Sequence, residues 1–83
     1  MITLTHMINR MTALSMEMHY MATTGRHVTD GHAFKNKWSE FYMVSEWAHK
    51  LLRELAPRKM IVSVGTSDYI NGVRISYQRY EII

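Results

Sequence analysis

Three side chains in a polar segment of the chain could together bind a metal ion. His27, Asp30 and His32 lie close to one another in sequence, and imidazole nitrogens and carboxylate oxygens are common ligands of zinc and iron. Their spacing matches no recognised ligand pattern, and the chain has no cysteine that could supply a thiolate. We therefore expect solvated histidines and no cofactor, with a metal site at these three residues as the alternative.

Two serines could act as nucleophiles if a histidine lay beside them. Ser15 and Ser39 are the candidates, and a nucleophilic serine needs a base within hydrogen-bonding reach. The sequence contains no Gly-x-Ser-x-Gly turn, no glycine-rich phosphate loop and no paired catalytic carboxylates. A chain of 83 residues also has little material for a pocket that excludes water. We expect no enzymatic activity.

Basic residues gather in the second half of the chain, and the net charge is +3. Side chains of this type contact the phosphate backbone of nucleic acids. The alternative is a solvated basic rim, since lysine and arginine near the end of a helix also interact favourably with its dipole. The candidates for nucleic-acid contact are Lys50, Arg53, Arg58, Lys59, Arg74 and Arg79.

Several apolar residues fall outside the predicted core positions and are candidates for contact with another protein. They are Met16, Met43, Trp47 and Ile82. Exposed methionine and tryptophan are typical of partner surfaces on small domains, and the chain contains eight methionines. The alternative is that each residue belongs to the core or is an isolated apolar residue on the surface.

The first helix, predicted over about residues 3–22, has the clearest pattern. Its apolar residues recur at alternating spacings of three and four, as on a helix packed along a partner helix. Thr3 or Thr5 can cap its start, and Gly25 is predicted as its left-handed C-terminal cap. The residues in this apolar stripe are Leu4, Met7, Met11, Leu14, Met18 and Met21.

A second helix is predicted over about residues 36–56, after a loop at 23–35. Asn36 can cap its start, and Pro57 ends it. The two glycines and the Asp-Gly pair of the intervening segment are typical of a loop, although a short helical turn within it is an alternative. The apolar stripe comprises Phe41, Val44, Ala48, Leu51 and Leu55, broadened by Phe34, Trp38 and Leu52.

After Pro57 the apolar period changes to two, which predicts strands over about residues 59–64 and 72–82. Residues 65–68 form a predicted turn cluster, and Asn71-Gly72 is a strong hairpin signal. A third strand would form if Tyr69 and Ile70 also pair. The apolar alternation changes phase late in the last strand, so we expect a bulge near Gln78 or Arg79.

The combined pattern predicts a single α+β domain over residues 1–83. It would consist of an antiparallel helical hairpin followed by a two- or three-stranded antiparallel sheet packed on it. No apolar run is long enough to span a bilayer, so we expect a cytoplasmic protein without membrane insertion. We expect a small non-enzymatic regulator that binds another protein, in the manner of phage inhibitors or modulators, and that forms homo-oligomers. A basic nucleic-acid-binding module is the alternative.

Overall fold

The computed structural model of this chain describes residues 2–83. Its elements are α1 (Leu4–Thr23), α2 (Arg26–Thr29), α3 (Gly31–Leu55), β1 (Ile61–Ile70) and β2 (Val73–Ile82). The two strands form one antiparallel sheet, so the predicted α+β class is confirmed. The two long helices are joined through the short helix α2 and not by a loop alone.

Helix α1 lies at the centre of the fold, with α3 and β2 packed against it. Thr3 caps the helix, because its hydroxyl accepts a hydrogen bond from the backbone N–H of His6. Leu4, at the first position of the predicted stripe, is half-buried. The other stripe residues are all buried, namely Met7, Met11, Leu14, Met18 and Met21.

The predicted loop at 23–35 is wrong over most of its length. Gly25 has a φ of 79°, as expected for a left-handed cap after α1. The chain then forms α2 and enters α3 at Gly31, not at Asn36. Phe34 stabilises this early start, since its ring packs edge-on against both His27 and Trp38.

Helix α3 buries less of its apolar stripe than the sequence pattern predicts. Only Ala48 and Leu52 are fully buried, whereas Leu55 is 67 % exposed. The reason is that α3 packs mainly on α1, and no element within residues 2–83 covers its outer side. Within residues 2–83, neither long helix carries an apolar stretch sufficient to cross a membrane.

Two ion pairs join α1 to α3. The guanidinium of Arg10 binds both carboxylate oxygens of Glu40, at 2.6 and 2.9 Å, and Lys37 lies 2.8 Å from Glu17. Residue numbers rise along one helix as they fall along the other, so the two helices run in opposite directions.

The strands are connected by the Asn71-Gly72 turn, which confirms the predicted hairpin. Both residues have positive φ, 52° and 78°, as a two-residue turn of this kind requires. The expected turn at 65–68 is wrong, because these residues continue β1 and pair with residues 75–78 of β2. The tight turn fixes the register, and the ladder then extends through residues that favour a turn when considered locally.

The expected bulge near Gln78 or Arg79 is also wrong. Pairing runs without interruption from Ile70 opposite Val73 to Ile61 opposite Ile82. Ile75 and Tyr77 are buried from one face of β2, whereas Tyr80 and Ile82 pack on the core from the other. The twist of the hairpin accounts for this change of face. Between the two regions, the backbone N–H groups of Gln78 and Tyr80 at the edge of β2 point at α1.

Candidate protein-interaction surface

The three candidate metal ligands occupy the junction between α2 and α3. His27 belongs to α2, Asp30 lies between the helices, and His32 is in the first turn of α3. The His27 ring packs edge-on against Phe34 at a centroid distance of 5.8 Å. Across residues 2–83, no three histidine, aspartate or glutamate side chains are arranged to hold a metal ion.

The serine with a histidine nearby has a structural role. Ser15 is buried, and its hydroxyl accepts a hydrogen bond from the backbone N–H of Gln78. His19 Nδ1 lies 2.6 Å from the carbonyl oxygen of Ser15, which can only accept, so Nδ1 carries the proton in this arrangement. This nitrogen therefore cannot take a proton from the Ser15 hydroxyl. Ser39 is exposed on α3.

The structure divides the basic candidates between the two ends of the hairpin. Arg74 is the second residue after the turn, whereas Lys59 precedes the opposite end of the sheet. Arg79 lies between them and forms a long ion pair of 3.8 Å with Glu81. The residues near the end of α3 are exposed, namely Lys50, Arg53, Arg58 and Lys59.

Two of the four apolar candidates lie away from the others. Met16 is half-buried in a cavity of about 270 Å³ between the end of α1, the start of α3 and Ile70 at the hairpin tip. Ile82 is half-buried and packs against the core cluster around Met7. Neither residue contributes to a surface shared with Met43 or Trp47.

Met43 and Trp47 are neighbours on α3, one helical turn apart. They are 70 % and 52 % exposed, and together they line a groove of about 300 Å³. Trp47 also borders a second groove, of about 380 Å³, between α3 and the start of α1, where Ile2 is exposed. We call Ile2, Met43 and Trp47, with these two grooves, the Trp47 surface.

Charged side chains of both signs surround the Trp47 surface. Glu46 and Lys50 flank the smaller groove, and the Arg10–Glu40 pair lies along the larger one. The hydrogen bond from Arg10 holds the pKa of the Glu40 carboxyl below its usual range, and the positive charges of Arg10 and Lys37 add to this effect. The Glu40 carboxyl is therefore ionised near neutral pH, and the rim contains acidic and basic side chains in equal number, Glu40 and Glu46 with Arg10 and Lys50.

Two exposed side chains were not identified from the sequence, Ile2 within the Trp47 surface and Tyr42 outside it. Ile2 precedes the first helix, and no local pattern connects it with Trp47, which is distant in sequence. Tyr42 is 65 % exposed and stacks against Trp38 on the opposite flank of α3, with ring centroids 5.6 Å apart. The feature of the sequence that could have identified Tyr42 is its position four residues after Trp38. Trp38 itself was predicted to broaden the buried apolar stripe of this helix.

No protein-family model, curated protein or solved structure matches the chain. The geometry of the exposed surface is therefore the basis on which a function can be assigned.

Proposed function

We propose that this chain is a small, non-enzymatic regulatory or accessory protein that binds another protein through the Trp47 surface. The observation that supports this function is the position of Trp47, half exposed where two grooves meet. Tryptophan and methionine are enriched at the centres of protein interfaces, and a polar rim is typical around them. The partner would insert apolar side chains into the grooves on either side of the Trp47 ring.

The charges around the surface indicate how such a complex would form. Arg10 and Glu40 already neutralise each other, and the rim of the smaller groove carries one charge of each sign. Long-range attraction would contribute little, so the affinity would come from apolar burial and would change little with salt. An acidic or basic partner face is not required.

A photo-crosslinking residue at position 43 tests this function in extracts of the source cells. A captured protein would then be purified, and its affinity for the chain would be measured by calorimetry. We expect Trp47→Ala to weaken binding by about thirtyfold or more, as truncation of a central aromatic residue does. Met43→Glu should have a similar effect because it places a charge in the apolar centre.

Tyr42→Ala is the matched control, since Tyr42 is an exposed aromatic residue on the other flank of the same helix. Its affinity for the captured protein should equal that of the unmodified chain. Equal losses for Tyr42→Ala and Trp47→Ala would contradict binding through the Trp47 surface, as would the absence of any specific crosslink at position 43.

Nucleic-acid binding is a second candidate function, favoured by the exposure of four basic residues around the end of α3, Lys50, Arg53, Arg58 and Lys59. None of the four forms an ion pair within residues 2–83. Fluorescence anisotropy with a random-sequence DNA duplex tests it. If nucleic acid is the partner, Arg53→Ala and Arg58→Ala should each weaken binding and reduce its salt slope by about one.

A further inference from the structure

The hydrogen-bonding pattern of the hairpin shows which backbone groups of β1 point outward. Met60 and Ile83 exchange two backbone hydrogen bonds, at 3.1 and 3.0 Å. Hydrogen-bonded pairs alternate along an antiparallel ladder, and the register is continuous from this pair to the turn. The even-numbered residues of β1 therefore bond to β2. The outward N–H and C=O groups belong to Ile61, Ser63, Gly65, Ser67 and Tyr69.

The two edges of the hairpin differ in whether their backbone groups are hydrogen-bonded. Helix α1 covers the edge of β2, where the N–H groups of Gln78 and Tyr80 donate to the hydroxyls of Ser15 and Thr12. The outward groups of β1 have no hydrogen-bond partner among residues 2–83. Such an edge is a template for another strand.

Strand β1 also lacks the features that usually block an exposed edge. Its ten residues include no lysine, arginine or proline, and its ladder contains no bulge. The one charged side chain, Asp68, accepts a hydrogen bond from the hydroxyl of Tyr77 within the same hairpin. Ser63, Gly65 and Ser67 lie along the middle of the strand, and such small residues allow another backbone to approach closely.

The sequence of β1 is complementary to itself in one antiparallel register. We propose that two copies of this chain pair through β1, with Gly65 opposite Gly65 of the second copy. Ser63 then faces Ser67, and Ile61 faces Tyr69, which is 75 % exposed in the single chain. An aromatic side chain opposite a β-branched one is a favourable cross-strand pair.

This register also satisfies the charge and hydrogen-bonding requirements of a dimer. Asp68 faces Val62, so no like charges lie directly opposite each other. The five outward residues of each copy would supply about ten backbone hydrogen bonds. A two-stranded sheet is marginal by itself, and pairing produces a four-stranded sheet in the order β2-β1-β1-β2. Because α1 packs on β2, each copy's α1 lies at the outer edge of that sheet.

A pair of charge variants tests both the surface and the register. In the proposed register position 63 faces position 67 of the second copy. S63K/S67K therefore places like charges opposite each other twice, whereas S63K/S67E places opposite charges there. Within one chain the two positions are about 13 Å apart along the strand, so both variants should fold alike. Circular dichroism checks the fold, and sedimentation equilibrium gives the mass.

We expect the unmodified chain to sediment at twice its mass of 9.8 kDa. The dimer dissociation constant of S63K/S67K should exceed that of S63K/S67E by about tenfold or more at low salt. N9K/S39K is the control for net charge, because it adds the same charge at exposed helical positions away from β1. This control should remain dimeric.

Three outcomes would overturn the proposal. The first is an unmodified chain that stays monomeric at every concentration up to its solubility limit. The second is a dimer that the two serine-pair variants weaken equally, since the register would then be wrong. The third is a dimer that Trp47→Ala dissociates and S63K/S67K does not, which would assign self-association to the Trp47 surface.

Discussion

The hydroxyl of Ser15 accepts a hydrogen bond from the backbone N–H of Gln78 at 3.1 Å, across 63 positions of the chain. One turn earlier on the same helix, Thr12 accepts from the N–H of Tyr80 at 2.9 Å. Two polar side chains on α1 thus satisfy backbone groups at the edge of β2 that would otherwise need water or another strand. The apolar stripe of α1 and these hydroxyls together hold the hairpin on the helix.

Removal of the Ser15 hydroxyl should destabilise the fold. Ser15 is 2 % exposed, and Ser15→Ala leaves the N–H of Gln78 without its partner. We expect a loss of about 1 to 3 kcal/mol in the free energy of unfolding, measured by urea denaturation. Ser39→Ala is the control, because Ser39 is exposed and should change stability by less than about 0.5 kcal/mol. Equal effects of the two substitutions would contradict a structural role for the Ser15–Gln78 bond.

Introducing a side chain at Gly72 of the hairpin turn should also destabilise the fold. Gly72 has a φ of 78°, so Gly72→Ala forces a β-carbon into the left-handed region, and we expect a loss of about 1 to 2 kcal/mol. Gly31 is the matched glycine, since it lies within α3 and a β-carbon there meets no atom within 4 Å. Gly31→Ala should be neutral or stabilising by up to about 1 kcal/mol. Thermal denaturation of both variants compares them, and a neutral Gly72→Ala would be inconsistent with this turn.

Stability should decrease at alkaline pH through Tyr77. Its hydroxyl donates to Asp68 Oδ2 at 2.6 Å, and this hydrogen bond, together with burial and the negative charge of Asp68, raises the pKa of Tyr77. The folded chain therefore holds this proton more tightly than the unfolded chain. The resulting stabilisation is complete below the unfolded pKa of about 10 and is lost as pH rises through the folded value.

Tyr77→Phe tests this pH dependence. Urea midpoints measured between about pH 8 and pH 11 should fall less steeply for this variant than for the unmodified chain. A residual slope should remain, because burial also raises the pKa of Tyr80. If Tyr77→Phe and the unmodified chain have the same slope, the Tyr77–Asp68 bond is not the cause.

Oxidation should distinguish the exposed methionines from those of the core. Met43 and Met60 are 70 % and 58 % exposed, whereas Met11 is 1 % exposed. Under mild peroxide treatment of the folded chain we expect sulfoxide at Met43 and Met60 well before Met11, since the oxidant must reach the sulfur. Peptide mass spectrometry measures the order. Comparable rates at Met11 and Met43 would show that the core around α1 opens readily.

Local patterns were sufficient to predict α1 and the hairpin turn. The apolar stripe of α1 corresponds closely to its buried residues because this helix is packed on more than one side. Asn71-Gly72 favours a two-residue turn whatever its surroundings, because both residues readily adopt positive φ. The start of α3 could not be predicted in this way, since Asp30-Gly31 is a turn signal locally and the packing of Phe34 against Trp38 outweighs it. Residues 65–68 likewise follow the register of the distant turn.

The candidate surface was predictable only where it depends on a single helix. Met43 falls outside the apolar stripe of α3 and Trp47 lies at its edge, and their exposure follows from those positions. Ile2 joins them because α1 and α3 run in opposite directions, which brings residues distant in sequence to one groove. The change of phase at Tyr80 and Ile82 is visible in the sequence but was interpreted as a bulge, whereas the hairpin twists and turns Ile82 towards the core around Met7.

The bonds from α1 to β2 also determine the order in which this chain can fold. One bond connects residues that are 63 positions apart in the sequence, and the other connects residues that are 68 positions apart. Each helix and the hairpin form through contacts between residues that are closer in sequence. Local elements of this size form within about microseconds, but closing so long a loop carries an entropic cost before any contact compensates it. We therefore expect the docking of the finished hairpin onto α1 to be the slow step of folding, and the Ser15–Gln78 contact lies at the interface where that step would take place.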